Sequence, residues 1–374
     1  MKIRQLALEN GIWSDTTETP MDQTPDLVLN FGYKDLIQAP DTYESLKKEF
    51  PDATIVSCST SGEIHNTAIK DKTCVATAIR FEHTEIKPVL INIKDHDGSL
   101  AAGKALVGQF EREGLKFILV LSDGQLVNGS DLVNGMNEEL DNEIPISGGL
   151  AGDGPDFIST YVGLDDNIEQ GNVVAIGFYG DKIQVNHGSE GGWRQFGPTR
   201  TITLSDKNVL YEIDGENALS LYKRYLGEHA KGLPGAALFF PLAIELDGVE
   251  VVRTILNIDE ENNSMIFAGN VPEGAKARLM KANFDRLIYA AGTAAELSNS
   301  SEEGNKLSIL ISCVGRKLIF GSRIEEELEA ARDILGDETV IAGFYSYGEI
   351  APFSDFMKCE LHNQTMTITT ISEH

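Results

Sequence analysis

Several residue types are scarce in this chain of 374 residues, and each shortage excludes a class of protein. The chain has four cysteines, and they lie far apart, at Cys58, Cys74, Cys313 and Cys359. Without a CxxC pair they exclude a structural zinc site and c-type haem attachment, and they predict reduced thiols rather than a disulfide framework. Apolar stretches such as residues 236–244 are too short to span a bilayer.

Basic residues are also in short supply, since 31 Lys and Arg oppose 58 Asp and Glu, which gives a formal net charge of −27. Such a charge repels phosphate backbones and anionic lipid surfaces, which argues against nucleic-acid partners and peripheral membrane binding. The short apolar stretches argue against membrane insertion. The first ten residues contain no apolar core of signal-peptide length. We therefore expect a cytoplasmic protein whose acidity serves solubility.

The chain does contain a unit that recurs three times. Each copy has a buried strand that ends in a polar or Gly loop, then a helix, then a second strand with a Gly-rich turn, and finally a strand of alternating pattern. The first strands are residues 27–32, 118–124 and 309–315. The helices are residues 41–50, 130–140 and 323–335. The second strands with their turns are residues 54–64, 144–153 and 340–350. The closing strands are residues 74–81, 172–179 and 365–371.

This order of elements predicts an α/β fold with mixed sheets, built from a recurring strand–helix–strand–hairpin unit. The Gly-Glu-Ile that follows the second strand in the first and third copies favours duplication over chance. At roughly 150 residues per domain, the length predicts two domains. We predict an N-terminal arm over 1–25, a domain over 26–213 with two copies, and a domain over 214–374 with the third. Further helices are expected over 215–230 and 275–297, and a Gly-rich connector over 188–198.

Ligands of α/β sheets tend to bind at the carboxyl ends of strands, and here those ends carry polar, Gly-rich loops. Glycine lets the backbone approach a ligand closely, and the carboxylates could hold an ammonium group. For a single loop the alternative is turn chemistry without a ligand. Taken together, the loops predict a site at Ser59, Thr60, Gly62, Glu63, Asp123, Gly149, Asp153, Tyr347 and Glu349.

A ligand with a carboxylate would need a cationic partner, and the bidentate guanidinium of arginine is the natural one. Arg253 lies in an apolar, strand-like stretch, and Arg316 follows Cys313 within one turn. We include all three residues in the predicted site. The alternative for each arginine is a salt bridge without a ligand.

Enzyme signatures are missing from the sequence. It has no GxSxG, no phosphate-binding GxxxxGK[ST] or GxGxxG loop, and no HExxH. A thiol nucleophile at Cys58 or Cys313 paired with a distant histidine is the enzymatic alternative, although free cysteines are more often small buried residues. We therefore expect that the protein is not an enzyme.

A series of short motifs runs in order from about Asp26 to the C-terminus. They are CSTSGE at 58–63, GGLAGD at 148–153, GWRQFG at 192–197, ALSLYKRYLG at 218–227, FPL at 240–242, VRT at 252–254, CVGR at 313–316, GFYSYGE at 343–349 and HNQT at 362–365. In this order they resemble the FIST domain proteins, signal-transduction proteins with adjacent N-terminal and C-terminal FIST domains. The resemblance implies the sensing of a small ligand, for which amino acids have been suggested.

One branch of that family senses nitric oxide through haem and controls a partner histidine kinase. The resemblance therefore also implies haem as a possible cofactor, and His187 and His65 are the candidate iron ligands, since each borders a Gly-rich or turn-forming segment. The alternative is that both histidines are structural or solvated. Because the sequence shows no output module, signalling would act through a partner protein such as a histidine kinase.

Overall fold

The computed structural model describes residues 1–9, 11–16, 21, 23–246, 248–300, 304–352 and 358–374. Within these residues the chain forms three sheets of one common plan and a fourth sheet that is inserted into the third unit. The prediction of an α/β fold with mixed sheets is confirmed.

The first unit supplies seven strands and two helices. They are β1 (Lys2–Glu9), β2 (Ile12–Asp15), β3 (Leu27–Gly32), α1 (Lys34–Gln38), α2 (Pro40–Glu49), β4 (Thr54–Ser59), β5 (Glu63–His65), β6 (Ala68–Lys70) and β7 (Cys74–Arg80). α2 begins at Pro40, whose fixed φ suits the first turn, with Asp41 beside it and Lys47 and Lys48 in the last turn. These charges complement the helix dipole.

The second unit follows the same order. It contains β8 (Glu85–Asn92), α3 (Ser99–Val107), β9 (Leu115–Ser122), α4 (Gly129–Leu140), β10 (Ile146–Leu150), β11 (Val162–Leu164), β12 (Asn167–Glu169) and β13 (Asn172–Tyr179). The Asn128 side chain caps α4 by accepting a hydrogen bond from the Asp131 amide.

The third unit begins with β14 (Ile183–Glu190) and is then interrupted by residues 194–281, which we call the insert. The insert contains β15 (Arg194–Asp206), β16 (Val209–Ile213), β17 (Glu216–Asn217), α5 (Ala218–Leu226), β18 (Leu242–Leu246), β19 (Val249–Arg253), β20 (Ile255–Asp259), β21 (Ser264–Phe267) and β22 (Lys276–Lys281). The unit resumes with α6 (Phe284–Ser298), β23 (Lys306–Cys313), α7 (Val314–Phe320), α8 (Glu325–Leu335), β24 (Val340–Ser346), β25 (Gly348–Pro352), β26 (Cys359–His362) and β27 (Met366–Glu373).

The three units exchange hairpins in a cycle. The strand orders are β12-β11-β4-β3-β7-β1-β2, β26-β25-β10-β9-β13-β8 and β14-β27-β23-β24-β5-β6. Each sheet has one parallel pair of strands at its centre (β3 with β4, β9 with β10, or β23 with β24). The hairpin that follows each pair joins the sheet of another unit, so the first unit extends the third sheet, the third extends the second, and the second extends the first. No sheet is complete without a neighbour.

The core between the sheets is built from buried strands of all three units. Phe31 and Phe344 pack with ring centroids 4.8 Å apart, and Phe117 and Phe178 pack at 5.3 Å. All four rings are almost fully buried. Removing a side chain of this size from water stabilises the fold by about 1.5–3 kcal/mol.

The structure differs from the prediction around the insert. A single helix was predicted over 275–297, but the structure has a strand, β22, followed by the helix α6. The helix begins only at Phe284, because the Asn283 side chain caps its first turn. Residues 276–281 pair with β15 and β18, and tertiary pairing overrides the helical spacing of their apolar residues. The predicted connector over 188–198 largely belongs to β14 and β15. The domain boundary near Asp214 stays a prediction, and β14 before it pairs with β27 after it.

Candidate functional site

The carboxyl ends of the three parallel pairs meet at one centre. The loops that follow the second strands are joined by backbone hydrogen bonds, in which the Ser61 amide donates to the Tyr345 carbonyl at 2.8 Å and the Gly152 amide to the Ser59 carbonyl at 2.9 Å. The Tyr347 amide closes the ring by donating to the Leu150 carbonyl at 3.2 Å. This convergence is the place where α/β folds bind ligands.

A cleft of three adjoining pockets lies beside this centre and extends to the insert. The polar pocket, of about 460 Å³, is lined by Tyr33, Thr60, Ser61, Gly62, Glu63, Asp71, Lys72, Asp153, Gly154, Pro155, Asp156, Val314, Lys317 and Leu318. The apolar pocket, of about 310 Å³, is lined by Pro155, Phe157, Pro234, Gly235, Leu238, Thr254, Ile255, Leu256, Ala268, Cys313, Val314, Gly315, Leu318 and Tyr347.

The outer pocket, of about 510 Å³, is lined by Gly124, Gln125, Leu126, Val127, Asn128, Gly129, Leu150, Phe157, Asn208, Leu256, Asn257, Phe267, Ala268, Gly269 and Tyr347. The three pockets adjoin one another, because neighbouring pockets share lining residues. Pro155, Val314 and Leu318 line both the polar and the apolar pocket. Phe157, Leu256, Ala268 and Tyr347 line both the apolar and the outer pocket.

Glu63 is the buried carboxyl group of the polar pocket. Its two oxygens accept hydrogen bonds from the hydroxyls of Thr60 at 2.7 Å and Thr73 at 3.0 Å. Burial raises the pKa of Glu63 to about 7, and the hydroxyls only partly oppose this shift. Among the described residues it forms no ion pair. Glu63 is therefore poised to ionise when a cation enters the pocket.

Lys317 supplies a positive charge to the same pocket. Its ammonium donates to the Ser61 carbonyl at 2.7 Å, pairs with the exposed Asp71, and lies 5.6 Å from the centre of the Tyr345 ring. Gly62 makes room for it, because a Cβ at Gly62 would lie 2.3 Å from the Lys317 ammonium nitrogen. Gly62 also has φ +137°, a conformation that other residues avoid.

Asp153 organises the wall between the polar and apolar pockets. Its carboxylate accepts hydrogen bonds from the amides of Phe157, Ile158 and Ser159 at 2.9–3.0 Å, from the Tyr347 hydroxyl, and from the Lys34 ammonium at 3.0 Å. Burial opposes ionisation of Asp153, but these donors outweigh it and hold its pKa below the usual value. Asp153 is thus an ionised structural anchor.

Phe157, whose amide donates to Asp153, adopts a strained conformation. Its φ of +52° is rare for an aromatic residue, and its ring stacks on Tyr347 with centroids 4.4 Å apart. Backbone strain of this kind costs about 1–3 kcal/mol and tends to occur at functional sites. The Phe157 ring lines both the apolar and the outer pocket.

Glu349 occupies the position in the third unit that Glu63 occupies in the first. Its carboxyl accepts hydrogen bonds from the hydroxyls of Ser346 at 2.6 Å and Thr365 at 2.9 Å. Complete burial raises the pKa of Glu349 to about 8. Unlike Glu63, it does not line the cleft.

Six of the residues predicted from the sequence line the cleft, namely Thr60, Gly62, Glu63, Asp153, Cys313 and Tyr347. Of the others, Ser59 is buried, and its hydroxyl accepts a hydrogen bond from the Tyr161 amide. Asp123 accepts hydrogen bonds from the amides of Gln125, Leu126 and Gly171, and so fixes the loop that forms the outer pocket. Gly149 lies inside β10, where a Cβ would meet Ile311.

The two arginines predicted for the site are buried, and both are paired with carboxylates of the protein. Arg253 donates to the carbonyls of Asn270 and Leu361 and pairs with Glu360 at 3.0 Å, which clamps the insert onto the third unit. Arg316 pairs with Glu327 at 2.8 Å, with both side chains fully buried. Neither guanidinium lines the cleft, so we leave both out of the proposed site.

The thiols are placed where their reactivity is low. Cys58 and Cys313 are both buried, and burial raises the pKa of each thiol. A thiolate nucleophile needs the opposite shift. The alternative of a thiol-dependent enzyme therefore gains no support from the arrangement.

The two histidines proposed as haem ligands lie on opposite sides of the third sheet, in β14 and β5, with three strands between them. At the usual strand spacing this separates them by roughly 19 Å. Burial lowers the pKa of His187 to about 4, and its ring packs 5.4 Å from Phe117, whereas His65 is hydrogen-bonded to Thr16 at 2.9 Å. Neither ring lines the cleft, and at this distance the two residues cannot hold one haem iron together; haem binding through either histidine alone stays a prediction.

Several cleft residues were not predicted from the sequence, among them Asp71, Phe157, Lys317 and Leu318. Val314, Lys317 and Leu318 lie at i, i+3 and i+4 of α7, a spacing that puts them on one face of the helix. That spacing could have pointed to Lys317 next to the Cys313 motif. Nothing in the sequence marks Phe157.

In the described part of the chain, no group of three or more His, Cys, Asp or Glu residues could hold a metal ion.

The fold and the cleft together describe a ligand-binding α/β module. The FIST N domain family matches residues 26–216 and the FIST C domain family matches residues 218–352. The chain belongs to the FIST family, which confirms the resemblance seen in its motifs. FIST domains are sensor domains of signal transduction and bind small ligands.

Two further comparisons concern distant proteins. The chain is 24% identical over 227 residues to an uncharacterised protein of Methanocaldococcus jannaschii, a match that spans 55% of this chain and 42% of that protein. It also resembles the crystal structure of cyanuric acid hydrolase from A. caulinodans, with a TM-score of 0.36 and 8% sequence identity, over 94% of this chain and 90% of the hydrolase.

The expectation that the protein is not an enzyme is corrected by this last match, because the matched structure is that of an enzyme. The expectation rested on missing sequence motifs, and catalytic groups can converge from distant positions without such a motif. A likeness of this low score assigns no reaction to the chain.

Among the described residues, every helix is too short or too polar to span a bilayer.

Proposed function

We propose that this chain is a small-ligand sensor of signal transduction whose ligand binds in the polar pocket. The ligand is amino acid-like, with its ammonium group on Glu63 and its carboxylate near Lys317. The proposal is carried by one observation: the buried Glu63 carboxyl has no cationic partner among the described residues and faces the same cavity as Lys317.

The electrostatics of Glu63 favour an ammonium ligand. A buried carboxylate without a cation is costly, which is why the pKa of Glu63 is raised to about 7. An ammonium group at hydrogen-bond distance would stabilise the ionised form and would be held by a charge-assisted hydrogen bond. The lysine then balances the carboxylate of the same ligand, so the pair selects a zwitterion.

The position of the cleft supports a signalling role. The cleft lies between the loops of the three units and the insert, which contributes Thr254, Ile255 and Leu256 to its wall. A ligand that contacts both sides favours the arrangement in which they are close, and a ligand can shift an equilibrium only through such differential contacts. A partner protein such as a histidine kinase in the cytoplasm would read this shift.

Calorimetric titration of the purified chain with the proteinogenic amino acids tests the proposal. At least one should bind, and Glu63→Gln should weaken binding roughly tenfold or more, because the loss of one charge-assisted hydrogen bond costs about 1.5–3 kcal/mol. Glu349→Gln is the matched control, since Glu349 also accepts hydrogen bonds from two hydroxyls but lies outside the cleft. Equal affinities in wild type and Glu63→Gln would contradict the assignment of the site.

A further inference from the structure

One face of α7 joins the polar pocket to the apolar pocket. Lys317 lies in the polar pocket, and Val314 and Leu318 line both pockets. Val314 lies three residues before Lys317 and four before Leu318, spacings at which Cβ atoms on a helix are about 5–6 Å apart. An amino acid whose carboxylate lies at Lys317 therefore has its side chain within reach of Val314 and Leu318.

The apolar pocket has few polar groups to offer a ligand. Its walls are formed by Val314 and Leu318 of α7, by Pro234 and Leu238, and by Ile255 and Leu256 of the insert. The Thr254 hydroxyl is buried and has no hydrogen-bond partner among the described residues. A charged or strongly polar side chain would lose its water here without a matching set of partners.

Several large apolar residues of this cleft are exposed to solvent. Leu256, Leu318 and Phe157 are 43%, 43% and 41% exposed, and they lie together at the apolar pocket. Contiguous exposed apolar surface in a concave site is a common mark of a ligand-binding groove. The volume of about 310 Å³ is at the lower end of the range for ligand pockets, which suits one side chain rather than a large ring system.

We infer that the cognate ligand carries an unbranched or branched aliphatic side chain, which lies in the apolar pocket between α7 and the insert. The inference rests on the proposed function, because the polar pocket fixes the ammonium and carboxylate end of the ligand. The aliphatic group contacts Leu318 on one side and Ile255 and Leu256 on the other. The side chain of the ligand thus ties the insert to the three-unit core.

A homologous series of amino acids tests this inference. Alanine, 2-aminobutyrate, norvaline and norleucine share one ammonium and one carboxylate and differ by single methylene groups. Calorimetric titration should show affinity rising roughly two- to fourfold for each added methylene, as expected when a methylene is moved from water into an apolar site. Serine and aspartate should bind more weakly than 2-aminobutyrate.

Two leucine variants test whether the side chain of the ligand lies in the apolar pocket. Leu256→Ser should flatten the dependence of affinity on side-chain length, so that norleucine loses more affinity than alanine does. Leu204→Ser is the matched control, because Leu204 belongs to the same insert and is 44% exposed, but does not line the cleft. It should leave the whole series unchanged.

The outcomes separate the two levels of the proposal. If amino acids bind and Glu63→Gln weakens them, but the series is flat or polar side chains bind best, the aliphatic inference is overturned and the sensor proposal stands. If no amino acid binds at millimolar concentration to a folded protein, the proposed function itself fails. A slope that persists in Leu256→Ser would also overturn the placement of the side chain.

Discussion

Two turns of this molecule have the same chemistry and different surroundings. In the first unit Thr60 and Thr73 hold Glu63, and in the third unit Ser346 and Thr365 hold Glu349 in the same way. The first carboxyl faces the cleft, whereas the second is sealed in the core. The comparison shows that duplication preserved the local hydrogen bonds, while the neighbouring elements decided which copy can meet a ligand.

The largest expected difference between the buried core and the cleft is in the stability lost when one of two adjacent residues of α7 is replaced. Arg316→Met removes the partner of the buried Glu327 and should lower the free energy of unfolding by about 3–5 kcal/mol. Lys317→Met removes an ion pair with Asp71, which is 65% exposed, and should cost about 1 kcal/mol or less. Denaturant titration measures both. Equal losses in the free energy of unfolding would contradict the placement of Arg316 in the core and of Lys317 in the solvent-accessible cleft.

The next difference concerns pH. Because the pKa values of Glu63 and Glu349 are raised to about 7 and about 8 in the folded state, the folded chain holds protons that the unfolded chain has released above about pH 4.5. Each group therefore lowers stability as pH rises, by about 1.4 kcal/mol per pH unit, up to its folded pKa.

Relative to wild type, Glu349→Gln should remove this slope between about pH 4.5 and 8, and Glu63→Gln between about pH 4.5 and 7. Denaturant titrations across this range measure both. A saturating amino acid ligand should change the Glu63 contribution and leave that of Glu349 unaltered. An identical response of both groups to the ligand would contradict the placement of one in the cleft and the other in the core.

The smallest expected effect concerns the hydroxyl partners. Thr73→Val and Thr365→Val each remove one hydrogen bond to a carboxyl and should cost about 1 kcal/mol of stability. Thr73→Val should also weaken ligand binding a few-fold, since the ionised form of Glu63 loses a donor. Thr365→Val should leave ligand affinity unchanged. Calorimetry on both variants decides whether the two turns differ as proposed.

The recurring unit could be predicted from the sequence because its signals are local. Buried strands such as residues 27–32 read as continuous apolar runs, and the Gly-Glu-Ile motif marks two copies. The exchange of hairpins could not be predicted, because the register of β5 on β24 depends on residues that are far apart in the chain. Residues 276–281 were assigned wrongly since an apolar spacing can serve a helix or a strand until its partners are known.

The site was predictable in part for the same reason. Glu63 and Asp153 follow buried strands, and that position alone placed them at the convergence of the loops. Arg253 and Arg316 were chosen for their chemistry, but the sequence does not show that Glu360 and Glu327 neutralise them. Lys317 was overlooked because its role depends on how α7 is turned toward the loop of another unit.

The exchange of hairpins also means that some strands are synthesised long before the strands with which they pair. The hairpin β5–β6 emerges early from the ribosome, yet the strand it pairs with, β24, follows about 280 residues later. At translation speeds of roughly 5–20 residues per second, the first unit waits for at least about 14 seconds with that hairpin unpaired. Exposed strand edges of this kind invite pairing with other chains. The nascent chain is therefore most in need of chaperone protection before the third unit is complete.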